Sequence, residues 1–322
     1  MLTRRNMGGA LAVALATPSL ARAQSAWPAE RPIQAIVPYP PGGGVDVMTR
    51  LILPVVEKHL PGARFVVQNR AGAGGQVGFE ATFNAAPDGY TIGSVAVPAI
   101  NTIPRERAAR YRPMDFTFIA NVVDDPNTIF VPPDSPLRTL DDLVAAARAR
   151  PGEMNYGTTG VGSDDHILML ALQSMAGLEP MTHVPFTGAA PLQAQVLGGH
   201  IEMAVGNVSE ILAMRRDGRV HALGQAAATR WDAAPDLPTF REQGYDLVAG
   251  SARGVVGPPG MPAEAVSRLE QAFRAALADP DFLRDAERAA LPLRPAVGED
   301  YRAMVAEVDA RVQRLWEERP WG

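Results

Sequence analysis

The chain has 322 residues, of which 47% are hydrophobic and 20% charged, and its formal net charge is −5. A chain of this length exceeds one ordinary hydrophobic core, so we expect two domains. The absence of cysteine excludes disulfides, zinc–thiolate sites and thiol catalysis. The acidic balance argues against a nucleic-acid-binding protein, which is normally basic.

The first residues have the features of a cleaved secretion signal. Arg4 and Arg5 form a basic start, residues 8–16 are a short apolar run, and residues 21–23 (Ala-Arg-Ala) fit the small-x-small cleavage rule. The apolar run is too short to span a bilayer, and the arginine pair also resembles a twin-arginine signal. We therefore predict a signal peptide over residues 1–23 and an exported mature chain.

Strands and glycine-rich turns alternate along the first part of the mature chain. The apolar run 33–37 leads into Gly42, Gly43 and Gly44, and an amphipathic helix follows. A second predicted strand, residues 63–68, leads into a second glycine-rich turn. Further strands are predicted at residues 90–97 and 116–123. This β-α-β-α-β order predicts a mostly parallel sheet with helices on its faces. Both turns lie at carboxyl ends of strands, where such sheets bind ligands.

A second α/β unit follows Asp-Asp-Pro-Asn at residues 124–127, where we expect the chain to leave the first lobe. A third glycine-rich turn lies at residues 157–163, and turn residues at 235–239 and 244–246 indicate a return crossing. Two lobes with a crevice between them could then close on a small ligand. The predicted bounds are 24–124 and 237–322 for lobe 1, and 125–236 for lobe 2.

The common nucleotide-binding motifs are absent from this sequence. A P-loop requires Gly-Lys-Ser/Thr, but the single lysine, Lys58, follows Glu57. The GxGxxG pattern fails at all three glycine-rich turns, and the five histidines include no HxxxH or HExxH pair. We therefore expect no nucleotide cofactor and no metal site.

Ser163 and His166 raise the alternative of an exported hydrolase, with Asp164 and Asp165 between them. A nucleophile elbow would need glycine at positions 161 and 165, where this chain has Val161 and Asp165. We therefore favour a capping role for Ser163 on the following helix. For His166 we favour packing, hydrogen bonding or a ligand contact.

Positive charge is scarce in and beside the three glycine-rich turns, where Arg70 is the only basic residue in the sequence. An anion bound there would depend on backbone N–H groups, hydroxyls and amides. Such a site suits a receptor that must bind its ligand reversibly and release it.

Five segments in a specific order resemble those of the Bug/TctC family, the periplasmic solute-binding receptors of tripartite tricarboxylate transporters. They are Pro-Tyr-Pro-Pro-Gly-Gly-Gly-Val-Asp (38–46), Asn-Arg-Ala-Gly-Ala-Gly-Gly (69–75), Ala-Pro-Asp-Gly-Tyr-Thr (86–91), Gly-Thr-Thr-Gly-Val-Gly-Ser-Asp-Asp-His (157–166) and Leu-Pro-Thr-Phe-x-Glu-x-Gly-Tyr (237–245). The resemblance spans residues 28–320.

The resemblance implies a type II periplasmic-binding-protein fold of class α/β. In this fold two lobes with mixed, mostly parallel sheets are joined by a two-crossing hinge. The resemblance also implies a periplasmic receptor rather than an enzyme. It would bind a small organic acid (a carboxylate) without a cofactor, act as a monomer, and deliver the ligand to the membrane subunits of the transporter. A ligand-sensing receptor without a transport role is a further alternative.

The resemblance further implies ligand contacts from the turns of both lobes, made through backbone amides and ordered water. Asp46 is an acid in this expected anion site, and we interpret it as holding water or turn N–H groups, or as capping the helix. The expected ligand-binding residues are Tyr39, Gly43, Gly44, Asp46, Ala73, Gly74, Ala96, Asn101, Thr158, Gly162, Ser163, His166, Thr187, Gly188 and Asn207.

Two segments depart from the family pattern. Many members carry Tyr-Lys-Gly where this chain has Phe-Thr-Gly at residues 186–188, so the resemblance does not support simple charge pairing there. Many also have a tryptophan near residues 251–254, where this chain has Ser-Ala-Arg-Gly.

Overall fold

The computed structural model describes residues 27–318, 320 and 321. The predicted signal peptide over residues 1–23 lies outside the described residues. Within the described ranges, no helix combines the length and the apolar character that crossing a bilayer requires.

Strands and helices alternate along most of the described chain, which confirms the predicted α/β class. The strands, numbered in chain order, are β1 (Ile33–Val37), β2 (Phe65–Asn69), β3 (Thr91–Val97), β4 (Thr117–Val131), β5 (Asn155–Thr158), β6 (Thr182–Pro185), β7 (Ala204–Asn207), β8 (His221–Gln225), β9 (Gly250–Gly257) and β10 (Leu293–Val297). The α-helices are α1 (Gly44–His59), α2 (Gln76–Phe83), α3 (Ala99–Glu106), α4 (Leu140–Ala149), α5 (Asp164–Met175), α6 (Ala189–Leu197), α7 (Val208–Arg216), α8 (Ala263–Leu277), α9 (Pro280–Arg288) and α10 (Glu299–Glu318).

The strands form two mixed sheets that share β4. The first sheet has the order β2-β1-β3-β9-β4 with β10 beside β4, and the second has the order β4-β7-β5-β6 with β8 beside β4. β1 runs parallel to β2 and β3, and β5 runs parallel to β6 and β7. Among the described strands, the pairs that involve β4 or β9 are antiparallel. The antiparallel part is therefore larger than the β-α-β order of the sequence indicates, because β9 joins the first sheet from far along the chain.

β4 continues through the predicted crossing at residues 124–127 instead of ending there. Val123 packs in a hydrophobic cluster on the first sheet, and Ile129 packs in a cluster on the second. β9 runs alongside β4, with Pro126 paired to Gly250. Two neighbouring strands therefore carry the chain from one sheet to the other and back.

We call the elements packed on the first sheet lobe 1, and those packed on the second sheet lobe 2. One hydrophobic cluster fills lobe 1, and two clusters lie against the sheet of lobe 2. A large apolar side chain stabilises a fold by about 1.5–3 kcal/mol when it is fully buried, so each lobe has a core of its own. Phe240 lies beyond the predicted boundary at residue 237 and packs in the core of lobe 2, whereas Ala252 packs in the core of lobe 1.

Candidate functional site

A small cavity of about 60 Å³ lies between the two lobes. It is located where β1, β3, β5, β6 and β7 end, which is the edge at which α/β sheets usually bind ligands. The glycine-rich turns of both lobes therefore meet at one crevice, as the sequence predicts. The described lining residues are Tyr39, Pro40, Pro41, Gly43, Gly44, Val45, Gly74, Ala96, Thr159, Ser163, Asp164, Gly188, Ala189, Ala190, Pro191, Asn207, Glu210, Ser251 and Arg253.

The turn between β1 and α1 is held in shape by Asp46. Its Oδ2 accepts a hydrogen bond from the backbone N–H of Gly42 at 2.9 Å, and its Oδ1 accepts one from Asn69 Nδ2 at 2.8 Å. Although burial opposes ionisation, these bonds and one from Arg50 hold the pKa of Asp46 below its ordinary value. The interpretation that Asp46 holds a turn N–H group is confirmed. Gly42 adopts φ +85°, a left-handed conformation that favours glycine.

Arg253 on β9 brings a positive charge into the cavity that sequence reasoning missed. Its side chain is only 1% exposed, and its Nη2 contacts three acceptors: Asn207 Oδ1 at 2.9 Å, Glu210 Oε1 at 3.1 Å and Asp125 Oδ2 at 3.1 Å. Its Nη1 is buried and has no hydrogen-bond partner among the described residues. A charged donor is thus left free beside the cavity.

The guanidinium of Arg253 lies directly against Gly44, the first residue of α1. A Cβ atom at Gly44 would overlap Nη1 of Arg253 and would lie 2.6 Å from Glu210 Oε1. The expectation that an anion bound here would depend on backbone N–H groups, hydroxyls and amides did not include this guanidinium, and the ligand contacts stay a prediction. It considered residues close to the glycine-rich turns in sequence, whereas β9 reaches the first turn through the sheet.

Buried carboxyl groups surround the guanidinium. Glu210 Oε1 also accepts the backbone N–H of Gly44 at 3.1 Å, so it connects α7 of lobe 2 to α1 of lobe 1. Asp125 accepts hydrogen bonds from the backbone and the hydroxyl of Ser209. Asp164 Oδ2 accepts the amide of Asn207 at 3.0 Å.

Burial makes the carboxyl groups of Asp125, Glu210 and Asp165 weaker acids. It raises the pKa of Asp125 to about 6, because the attraction of Arg253 only partly offsets the loss of hydration. Burial also raises the pKa of Glu210, and it raises that of Asp165 well above its usual range with a further contribution from Asp164. Although burial opposes its charge, Asp125 and Glu210 keep the pKa of Arg253 above its ordinary value.

The structure brings about half of the expected ligand-binding residues to the cavity wall. Those that line it are Tyr39, Gly43, Gly44, Gly74, Ala96, Ser163, Gly188 and Asn207. The remaining expected residues lie outside the lining and are Asp46, Ala73, Asn101, Thr158, Gly162, His166 and Thr187. Their part in binding stays a prediction in every case. Sequence reasoning missed Glu210 and Arg253 as well as Asp164. The signal that could have found the site is an arginine inside β9, a strand whose other residues are uncharged.

Residues outside the lining are engaged elsewhere. Asn101 Nδ2 donates to Asp309 on α10 at 3.0 Å, and Thr158 Oγ1 contacts His183 Nε2 at 2.6 Å. The side chain of Thr187 is exposed, and the carbonyl of Ala73 accepts Arg107 Nη2 at 2.7 Å. Asn101, Thr158 and Ala73 therefore bond to residues outside the cavity lining, and Thr187 faces solvent.

Ser163 and His166 do not have the geometry of a nucleophile and its base. Ser163 Oγ accepts the backbone N–H of His166 at 3.2 Å, which confirms its predicted role as the cap of α5. Nδ1 of His166 accepts the N–H of Gly162 at 3.1 Å, and its ring stacks on His183. Burial and the neighbouring His183 lower the pKa of His166 to about 3.

Comparison with known proteins identifies the family. The family model described as tripartite tricarboxylate transporter family receptor (TctC) matches residues 49–320. BugT of Bordetella pertussis is 35% identical over 273 residues, which are 83% of this chain and 83% of BugT. An R. palustris protein solved with adipate is 28% identical at a TM-score of 0.84, with 90% of this chain and 97% of that chain covered. MatC from Rhodopseudomonas palustris, solved with bound malate, is 26% identical at a TM-score of 0.82, with 89% and 99% covered.

The similarity to solved periplasmic binding proteins confirms the predicted periplasmic-binding-protein fold. The match to the family model extends over most of the chain, and it includes the part of α1 from Thr49 onward, β9 and both crossings. The chain therefore belongs to the tripartite tricarboxylate transporter family receptors, the TctC or Bug family of periplasmic solute-binding proteins.

Proposed function

We propose that this protein captures a small organic acid between its two lobes outside the cytoplasm and delivers it to a tripartite tricarboxylate transporter. Adipate and malate in two related structures support a carboxylate as the ligand class. The family description supports the transporter as the partner.

The free Nη1 of Arg253 is the observation that carries the proposal. A buried charged donor without a partner is costly, and a carboxylate oxygen is its best complement because charge-assisted hydrogen bonds are short and strong. The same atom lies against Gly44 at the N-terminus of α1, where the helix dipole adds about half a positive charge. A carboxylate placed there would satisfy both groups.

Both lobes contribute to this position, so a ligand would favour the closed arrangement. Arg253 and the β1–α1 turn belong to lobe 1, whereas Asn207, Glu210 and Gly188 belong to lobe 2. A ligand shifts a conformational equilibrium only if it binds one state better, and contacts from two lobes provide that difference. The closed form would then present one composite surface to the transporter.

The proposal is tested with succinate, malate, glutarate, adipate, citrate and benzoate in thermal denaturation and titration calorimetry. An acid present at a hundred times its dissociation constant should stabilise the protein by about 2.7 kcal/mol. If no acid of the panel binds, the proposed ligand class is wrong.

Delivery to the transporter is tested separately, by uptake of the labelled acid in cells with and without this protein.

The variant Arg253→Lys tests the part of the guanidinium. Lysine keeps the charge, but its single nitrogen cannot occupy the positions of both Nη2 and Nη1. We expect acid affinity to fall about tenfold or more, which one charge-assisted hydrogen bond can supply. The control is the surface variant Arg230→Lys, whose side chain pairs with Glu242 and lies outside the described cavity lining. Equal affinities in both variants would contradict the role of Arg253.

A further inference from the structure

We propose that the cavity selects an organic acid with a single negative charge, and that Glu210 is the residue that discriminates against a second carboxylate. This inference rests on the proposed function and goes beyond it, because it specifies the charge of the ligand. A ligand with one negative charge differs from the dicarboxylates adipate and malate of the two related structures. The inference follows from the side chains of this cavity.

The first argument is the balance of charges around the cavity. Arg253 is the only basic residue among the described lining residues, whereas Asp164 and Glu210 also line the cavity. Asp125 contacts the same guanidinium at 3.1 Å, and Asp165 is buried next to Asp164. One guanidinium and four carboxyl groups therefore lie in or beside the cavity before any ligand enters.

The second argument is the number of free charged donors. Nη2 of Arg253 is occupied by acceptors from Asn207, Glu210 and Asp125, so Nη1 is left for one carboxylate. A second ligand carboxylate would find no other cationic side chain in the described lining.

The N-terminus of α6 is a further electropositive feature of the wall. Gly188 precedes this helix without a side-chain cap, and Ala189 and Ala190 line the cavity. A helix N-terminus is equivalent to about half a charge, which can receive a neutral carbonyl or hydroxyl oxygen. It does not balance Asp164 and Glu210 together. The far end of the ligand is therefore expected to be polar and uncharged.

Glu210 lies near the free donor, because a Cβ atom at Gly44 would overlap Nη1 of Arg253 and would come within 2.6 Å of Oε1 of Glu210. Its Oε1 is shared by the N–H of Gly44 and Nη2 of Arg253, the two groups that flank Nη1. The charged or titratable groups that interact electrostatically with it are Arg253 from β9, Asp125 from β4, Asp164 and Asp165 from α5, and Tyr39 from the β1–α1 turn. A ligand carboxylate on Nη1 thus lies beside Glu210, and a second one must share the cavity with it.

Like charges this close in a buried site change affinity by about tenfold or more. A dianion can avoid part of this repulsion if Glu210 takes up a proton as the ligand binds. Its pKa is already raised by burial, and an added negative charge raises it further. Binding of a dianion should therefore weaken as the pH rises, whereas binding of a monoanion should depend less on pH.

The test uses pairs of acids that differ only in charge: succinate and succinamate, glutarate and glutaramate, adipate and adipamate. Calorimetry at pH 7.5 should show the monoamide binding about tenfold or more tightly in each pair that binds. Titration in two buffers of different ionisation enthalpy should show uptake of up to one proton with the diacid and less with the monoamide. As the pH is lowered from 8.0 to 6.5, the difference in affinity between the diacid and its monoamide should become smaller.

The variant Glu210→Gln keeps an acceptor for Gly44 and Arg253 but removes the charge. We expect it to raise the affinity of the diacid relative to its monoamide by about tenfold and to reduce proton uptake. Glu202→Gln, a surface change at the ion pair with Arg150, should leave the ratio unchanged. If Glu210→Gln does not fold, the test rests on two measurements in the natural protein. These are the affinity of each monoamide relative to its diacid and the number of protons taken up on binding.

Two results would overturn the inference while leaving the proposed function intact. One is a diacid that binds the natural protein more tightly than its monoamide without proton uptake. The other is a folded Glu210→Gln variant with an unchanged ratio. Failure of every diacid and every monoamide to bind would instead remove the proposed function, and the inference with it.

Discussion

Arg253 places one full positive charge in the cleft, and its guanidinium is almost entirely shielded from solvent. The charge is held by Asp125 and Glu210, which come from different elements of the fold. Replacing one partner of such a buried group is usually costly, so binding and stability are expected to be linked at these three residues. Variants must therefore be measured for both properties.

Gly44 tests how closely the guanidinium and the first turn fit. A Cβ atom in Gly44→Ala would overlap Nη1 of Arg253 and would press on Glu210. We expect the free energy of unfolding to fall by about 1–3 kcal/mol, which is typical of overpacking, as measured by urea denaturation. In Gly43→Ala the nearest atom to the new Cβ would be the carbonyl oxygen of Pro40 at 3.8 Å. That control should change stability by less than about 0.5 kcal/mol, and equal effects would contradict the packing argument.

His166 should make stability depend on pH. Burial and His183 lower its pKa from an ordinary value of 6.5 to about 3. Since the folded pKa lies below the unfolded one, the unfolded chain binds the proton first, and stability is lost as the pH falls below about 6.5. Between pH 7 and pH 5, His166→Gln should lose about 1–2 kcal/mol less in urea denaturation than the natural protein. The exposed His200→Gln is the control, and the same loss in all three proteins would contradict this linkage.

Prediction from sequence succeeded for residues whose partners are near them in the chain. Asp46 reaches the N–H of Gly42 within one turn, and Ser163 caps the helix that follows it. The contacts of Arg253 could not be predicted in this way, because its partners Asn207, Glu210 and Asp125 lie in other strands and helices. A sequence pattern carries no information on which distant carboxyl group will meet a given arginine.

Among the elements, β4 and β9 determine where the cleft forms. β4 is 15 residues long and belongs to both sheets. Every residue of β9 lies along the part of β4 from Thr117 to Pro126. The glycine-rich turns and the helices after them were predictable, because apolar periodicity and turn residues act locally. The continuity of β4 through Asp-Asp-Pro-Asn was not, since pairing with β9 supplies the hydrogen bonds that keep these residues extended.

The caps of α5 and α4 allow the effect of a lost cap on stability to be distinguished from its effect on ligand binding. Ser163 caps α5 at the cavity wall, and Thr139 caps α4 outside the cavity lining with a capping box to Asp142. We expect Ser163→Ala and Thr139→Ala each to lower the free energy of unfolding by about 0.5–2 kcal/mol. Only Ser163→Ala should also weaken binding of the acid in calorimetry. If Thr139→Ala weakens binding as much, the effect of Ser163 is an indirect effect of stability.

In the described part of the molecule, two lobes with separate cores meet at a small cavity. Thr102 of lobe 1 donates to the carbonyl of Gly162 in lobe 2, and Gly44 donates to Glu210. The family and the fold were predictable because the spacing of five segments is distinctive. The charge of the cavity was not, because it depends on which side chains the two lobes bring together. The division of the chain at residues 124 and 237 stays a prediction.

The most direct test of the central claim is a crystal structure with the tightest-binding acid of the panel. We expect one carboxylate oxygen within hydrogen-bond distance of Nη1 of Arg253, about 2.7–3.2 Å, beside Gly44 and between the two lobes. A ligand whose carboxylate lies elsewhere, with Nη1 of Arg253 still lacking a partner, would contradict this account.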